Sequence, residues 1–217
     1  MATTLYYNTV SPLLKEALHK LMLSEPFNRF RLVGGTALSL HYGHRMSVDI
    51  DLFTDAEYGS VDFGLLDETL RGMYPYVAAN DYGLVGMGRS YYIGNSERDA
   101  VKLDLFYTDA FIEPIQIIDG IRLASPGEIA AMKLDVIQRT GRKKDFWDID
   151  VLKNHFDIDT MFALHAKRYP YTHDRELLLQ KFTDFSGADT DFDPICLQGK
   201  HWELIKLDTV ELIAQLP

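Results

Sequence analysis

The stretch Gly34-Gly35-Thr36-Ala37-Leu38, followed by Arg45-Met46-Ser47-Val48-Asp49-Ile50-Asp51-Leu52-Phe53, decides how this chain is read. A short apolar strand over residues 30–33 is stopped by the two glycines. Residues 36–42 then read as a short helix that Gly43 can end, and residues 47–53 return to strand. Side chains alternate faces on a strand, so Asp49 and Asp51 project the same way, about 6–7 Å apart, while Ile50 and Leu52 point into a core. Two carboxylates this close repel unless a cation lies between them. Mg²⁺ takes one or two carboxylates and completes its shell with substrate phosphate oxygens. The glycines allow close backbone approach to a phosphate, and the helix that follows offers free N–H groups to an anion. Thr36 and Ser47 add hydroxyl donors, and the Arg45 guanidinium suits a phosphate partner.

Working outward, Asp104 lies in the alternating run Val101-Lys102-Leu103-Asp104-Leu105-Phe106. If that strand pairs beside the first, a third carboxylate joins Asp49 and Asp51. Three carboxylates can hold two metals as a clamp for in-line phosphoryl transfer, with Asp104 as base. An Asp-x-Asp pair alone is common on exposed strand faces, a Gly-Gly alone is usually a turn, and an isolated Arg is usually a surface charge. Their succession around one strand gives the metal and phosphate reading its weight.

Toward the N-terminus, Ser11 can cap a helix whose first position suits Pro12, with Leu13, Leu14, Ala17, Leu18 and Leu21 at helical spacing. Residues 61–73 form a second amphipathic pattern, and residues 82–107 fit two or three strands with tight turns. From Ser125-Pro126-Gly127-Glu128, a capping-box start, the patterns are helical. The expectation is an α+β protein, with a mixed α/β core over residues 1–124 and a helical C-terminal lobe over 125–217 that can pack onto it as one continuous domain.

A formal net charge of −10, from 22 basic and 32 acidic side chains in 217 residues, argues against general affinity for nucleic acid or anionic membrane, which depends on Lys and Arg neutralising phosphates, while leaving room for a local basic patch. Cys196 stands alone, so neither an internal disulfide nor a cysteine zinc site can form, and a small buried side chain is its expected role. The first residues lack the basic and apolar regions of a signal peptide, and no apolar run reaches a membrane span. A cytoplasmic protein that does not enter the membrane is expected.

Lys133 falls on the helix begun at Ser125, within reach of a triphosphate. Arg139, Arg142, Lys143 and Lys144 make the densest basic stretch of this acidic chain, a candidate RNA backbone contact, although turns between helices are often basic for solubility alone. Asp145 and Asp148, three apart on one helix face, either contact substrate or hold Arg142 and Lys133 in place. Trp147 reads as core. His41 and His44 lack the further ligands of a zinc site. Residues 167–171, Lys-Arg-Tyr-Pro-Tyr, read as a helix end entering a proline turn.

These residues resemble the nucleotidyltransferase superfamily built on the polymerase-β-type palm, and within it the AbiEii/AbiGii toxins of type IV toxin–antitoxin and phage-abortive systems. Gly34 to Leu38 with Arg45-x-Ser47-x-Asp49-x-Asp51 matches the family's first motif. Lys133, Arg139, Arg142 and Lys144-Asp145-Phe146-Trp147-Asp148 match its later one, with Lys144 where Arg is usual, which keeps the charge but not the planar fork. The resemblance runs over residues 30–152. It implies a polymerase-β-like mixed sheet flanked by helices, and transfer of a nucleotide from an NTP to an acceptor with release of pyrophosphate. Asp49, Asp51 and Asp104 would ligate Mg²⁺. Gly34, Gly35, Thr36, Arg45, Ser47, Lys133, Asp145 and Asp148 would bind nucleotide. It further implies an RNA acceptor, a tRNA 3′ end, and a cognate antitoxin partner. Two alternatives are a transferase acting on a protein or a small molecule such as an antibiotic, and a non-catalytic NTP-binding protein working through partner contacts.

Overall fold

The computed structural model describes residues 4–79 and 86–214. In chain order the helices are α1 (Pro12–Leu23), α2 (Gly34–Tyr42), α3 (Phe63–Met73), α4 (Pro126–Thr140), α5 (Lys143–Leu152), α6 (Ile158–Arg168), α7 (Arg175–Thr183) and α8 (Trp202–Ala214). The strands are β1 (Arg31–Leu32), β2 (Asp49–Thr54), β3 (Tyr76–Ala79), β4 (Gly88–Ser96), β5 (Asp99–Tyr107), β6 (Gln116–Ile118) and β7 (Ile121–Leu123).

Local sequence accounts for most of these elements. The Ser11 hydroxyl accepts the Leu14 N–H at the start of α1, Pro12 occupies its first turn, and Leu14, Ala17, Leu18 and Leu21 are buried. Gly43 ends α2 in the left-handed region, at φ 67°, which a residue without Cβ adopts at little cost. Along β2 the buried positions alternate, Ile50, Leu52 and Thr54 facing inward. The Ser125 hydroxyl caps α4 by accepting the Glu128 N–H, but the reciprocal half of the expected capping box does not form. Glu128 is fully buried. It accepts the N–H groups of Ile112 and Glu113 and pairs with Arg168 at 2.7 Å, a long-range use of its charge that a local rule cannot foresee.

Among the described residues the strands form one mixed seven-stranded sheet in the order β3-β4-β5-β2-β1-β7-β6. β2 runs parallel to β5 and β1 parallel to β7, and the other neighbours are antiparallel. Three strands lie outside the sequence expectations. β3 follows a proline, and β6 and β7 are three residues each, too short for a period-two pattern to show. The expected segment over 82–107 becomes β4 and β5, while residues 82–85 lie outside the described ones. Helices α1 and α3 pack on one face of the sheet, and α2 lies against β2 and is backed by α4 and α5. An aromatic cluster of Phe146, Trp147, Phe185 and Trp202 joins α5 to α8, with Trp147 and Trp202 stacked 5.8 Å apart. Trp147 is core, as expected.

Candidate active site

The register of β2 against β5 sets the centre of the site. Asp51 pairs directly with Asp104, and Asp49 with Lys102. A one-residue slip would turn one of the carboxylates into the core, so burial of Ile50, Leu52, Leu103 and Leu105 beneath them fixes the arrangement. All three carboxylates line one cavity of 340 Å³, together with Gly34, Gly35, Ser47, Lys133 and Lys144. Asp104, expected on this face from strand alternation, shares a cavity with Asp49 and Asp51.

Electrostatics in this cavity are unbalanced. Burial first, and the neighbouring Asp104 and Asp49 second, push the Asp51 carboxyl up to about 6. One Asp104 oxygen, Oδ2, accepts from Lys102 Nζ at 2.6 Å, whereas Oδ1 is buried with no hydrogen-bond partner. Lys144 Nζ lies 3.8 Å from Asp49 Oδ2. Among the described residues no three His, Cys, Asp or Glu side chains are drawn together tightly enough to cage an ion by themselves. The carboxylates thus line an open site, with Lys102 paired to Asp104 and Lys144 near Asp49. The residues fit a divalent cation of the Mg²⁺ type, which needs only one or two carboxylates, and the partnerless Asp104 oxygen and the desolvated Asp51 are the groups a cation would satisfy.

Behind the carboxylates lies a buried ionic network. Arg45, 3% exposed, grips Asp148 with Nε at 2.7 Å and Nη2 at 2.8 Å, and its Nη1 donates to the Met46 carbonyl. Lys133 Nζ pairs with Asp145 at 2.7 Å and with Asp148 at 2.6 Å, and His44 Nε2 meets Asp148 at 2.7 Å. Burial works against a charged Asp148, but Arg45 and Lys133 outweigh it and hold this carboxyl well below the usual range. The Lys133 ammonium, likewise opposed by burial, is held charged by Asp148 and Asp145. Two cations face two anions, so the network brings no surplus positive charge.

Several sequence expectations are corrected here. The Nε–Nη2 fork of Arg45 is spent on Asp148 and one Nη1 N–H on the Met46 carbonyl, so Arg45 cannot grip a phosphate bidentately through that edge although it still lines the cavity. Asp148 is fully buried, and it positions Arg45 and Lys133 rather than contacting nucleotide. Asp145 anchors Lys133 and accepts the Arg142 backbone N–H at the start of α5, while the Arg142 side chain stays 59% exposed. The Thr36 hydroxyl is buried against Ser47 Oγ and the Asp49 carbonyl, so it braces the loop into β2 instead of reaching a ligand. Lys143 is buried and paired with Asp193 at 2.8 Å, which removes it from the basic surface. Lys144 turns into the cavity beside Asp49. Burial, Arg142 and Lys133 lower its pKa. Arg139 is exposed and pairs with Asp135 one turn away. Cys196 is half-buried, in a bridge opposite Arg45.

The glycines earn a more specific role than phosphate approach. A Cβ on Gly34, whose φ is +68°, would sit 2.7 Å from Asp51 Oδ2. A Cβ on Gly35 would overlap Arg45 Nη2. The pair lets the cavity carboxylate and the buried guanidinium close in on the start of α2. Lys102, Asp135 and Tyr169 also line the cavity, and sequence reading missed them. Lys102 had a signal, its place two residues before Asp104 on an alternating strand, whereas Asp135 and Tyr169 arrive through helix packing.

With this geometry in view, comparison with known proteins is specific. The profile of the family described as nucleotidyl transferase AbiEii toxin, type IV TA system, matches residues 16–211. An uncharacterised protein of Aquifex aeolicus is 32% identical over 163 residues, covering 71% of this chain and 73% of that protein. Among solved structures, the nucleotidyltransferase toxin MenT4 of Mycobacterium tuberculosis superposes with a TM-score of 0.60 at 14% identity, over 94% of this chain and 84% of that one. A structure described as a putative nucleotidyltransferase from Helicobacter pylori superposes with a TM-score of 0.57 at 21% identity, covering 92% and 91%. At these identities the structures attest the fold. The profile, spanning nearly the whole chain, attests the lineage: the chain belongs to the AbiEii nucleotidyltransferase toxin family of type IV toxin–antitoxin systems, and it is a nucleotidyltransferase.

Proposed function

We propose that the chain transfers a nucleotide from an NTP to the end of an RNA, a tRNA 3′ end being the first candidate, with Mg²⁺ as cofactor and a cognate antitoxin as its protein partner. The observation that carries the site assignment is the direct pairing of Asp51 with Asp104, one oxygen of which is buried without a partner. At the carboxylate end of the cavity, the roughly four negative charges of an NTP at neutral pH would meet Asp49, Asp51 and Asp104, beside which stand Lys102 and Lys144. A divalent cation held by Asp51 with Asp49 and Asp104 would neutralise the triphosphate and acidify the attacking hydroxyl.

The chain's own residues do the rest. Gly34, Gly35 and Ser47 shape the phosphate end of the cavity, and Lys144 moves from Asp49 to the incoming phosphates. Lys133 is held at the rear wall by Asp145 and Asp148, inside a network whose charges balance, and presents its ammonium there without adding net charge. The acceptor hydroxyl attacks the α-phosphorus. A new P–O bond forms as the bond to the β-phosphate bridging oxygen breaks, pyrophosphate leaves, and the hydroxyl proton passes to Asp104. Among the described residues no helix is long and apolar enough to cross a membrane.

The test is to incubate the protein with each labelled NTP, Mg²⁺ and total cellular RNA. Label is expected on RNA with the intact chain and absent with Asp51→Asn, whose fold should persist. Normal transfer by Asp51→Asn would remove the mechanism. Label on a protein or small molecule, with bare RNA, would replace the acceptor.

A further inference from the structure

The face of β4 and β5 that carries Asp104 is laid out in rows. Asp49, Lys102 and Tyr92 stand side by side in one row, and Asp51, Asp104 and Ser90 in the next. Strands lie about 4.8 Å apart and alternate residues 6–7 Å apart, so Tyr92 sits roughly 5 Å from Lys102 and roughly 8 Å from Asp104, Cα to Cα. The opposite face, with Tyr91, Ile93, Leu103 and Leu105, is buried, and the helices packed against β4 and β5 are α3 and α1. Tyr92 is instead 44% exposed, and the Lys102 side chain is 34% exposed where it reaches Asp104. Among the described residues, a sheet surface bearing an aromatic ring and a cation therefore runs directly into the carboxylates.

We propose that this strip seats the acceptor: a base near the end of a single-stranded RNA stacks on Tyr92, and Lys102 takes a backbone phosphate, bringing the terminal hydroxyl to Asp104. The inference rests on the RNA reading above and adds how the acceptor is held. A protein of net charge −10 has little general attraction for a polyanion, so affinity has to come from local contacts. Aromatic stacking supplies it without needing a large basic surface, and an unstacked base is required for it. Lys102 is suited to the exchange, since a phosphate can replace Asp104 as its partner once that carboxylate is engaged. A small hydroxyl compound bound at Asp104 would not span the distance to Tyr92.

The experiment uses the full chain, a labelled NTP, Mg²⁺, and an RNA oligonucleotide offered single-stranded or as a blunt duplex. Tyr92→Ala should raise KM for the single strand about tenfold, with the effect falling on KM and not on kcat, and KM for NTP should hold. Tyr92→Phe should stay within twofold. Fluorescence anisotropy of the labelled oligonucleotide without NTP should weaken in parallel. An enzyme that labels RNA but whose Tyr92→Ala variant keeps its acceptor KM would overturn this inference and leave the RNA reading standing. Equal loss on the blunt duplex would overturn the stacking role. Unchanged RNA parameters with weakened antitoxin binding would assign the face to the protein partner. Absence of label on any RNA would remove the acceptor reading and this inference with it.

Discussion

Asp51 is where proton, metal and substrate chemistry meet. Its carboxyl titrates near 6 in the folded protein and near 3.9 in an unfolded chain. The folded state therefore binds the proton more tightly, so this group favours folding below pH 4 and loses that contribution as pH rises through 6. Asp51→Asn removes the charge, so the metal-free variant should be more stable than the parent above pH 6, by on the order of 2 kcal/mol, measurable by urea titration at pH 5 and pH 7. Equal stability of the two proteins at pH 7 would mean that Asp51 carries no such penalty. The same shift makes protons compete with a divalent cation. Mg²⁺ affinity measured by calorimetry should fall as pH drops below 6, and a flat profile would point away from Asp51 as a ligand.

At the scale of elements, the start of α2 and the body of α5 hold the site from two sides. Gly34→Ala meets both a left-handed backbone and Asp51 Oδ2 at 2.7 Å. A stability loss of about 1–2 kcal/mol is expected from the backbone alone. Transfer should fall further than stability, because the Cβ displaces Asp51. A variant with lowered melting temperature but parental kcat would show that the glycine serves folding only. From α5, Asp148 neutralises Arg45 and Lys133 in a fully buried setting. Removing one partner of a buried ion pair typically costs about 3–5 kcal/mol, so Asp148→Asn should melt roughly 10 °C lower. Retention of the parental melting temperature would show the network to be dispensable for the fold.

The element scale also shows how far sequence reaches. Helices α1 and α4 announce themselves through Ser11-Pro12 and Ser125-Pro126, because a cap is chemistry between residues three apart. The strand character of β2 and β5 shows in alternation, and with it the shared face of Asp49 and Asp51. Glu128 and Arg168 were illegible as a buried pair, since forty residues separate them and nothing local marks either as internal. Arg45 and Lys143 misled for the same reason. A basic side chain near a phosphate motif invites a ligand, and only packing reveals that a carboxylate already holds it.

For the whole molecule, catalytic parts from β2, β5 and the α4–α5 region converge on one 340 Å³ cavity, so ligand binding should couple to global stability. At about one hundred times its Kd, an NTP with Mg²⁺ should stabilise the folded chain by about 2.7 kcal/mol, seen as a raised melting temperature. NTP with a chelator should give less, because triphosphate and carboxylates then repel. Equal shifts with and without Mg²⁺ would argue that the nucleotide binds away from Asp49, Asp51 and Asp104.

The chain's sequence by itself determined the strand-and-glycine frame, the common orientation of Asp49 and Asp51, and the candidacy of Asp104, because these follow from backbone periodicity and residue chemistry over short spans. Tertiary structure alone decided that Asp51 and Asp104 stand in direct register, that Lys102 and Lys144 attend the carboxylates, and that Arg45, Lys133 and Asp148 form a closed buried network. The physical reason is that a charged side chain's role depends on which opposite charge reaches it and how much water remains, and both are set by segments far apart along the chain.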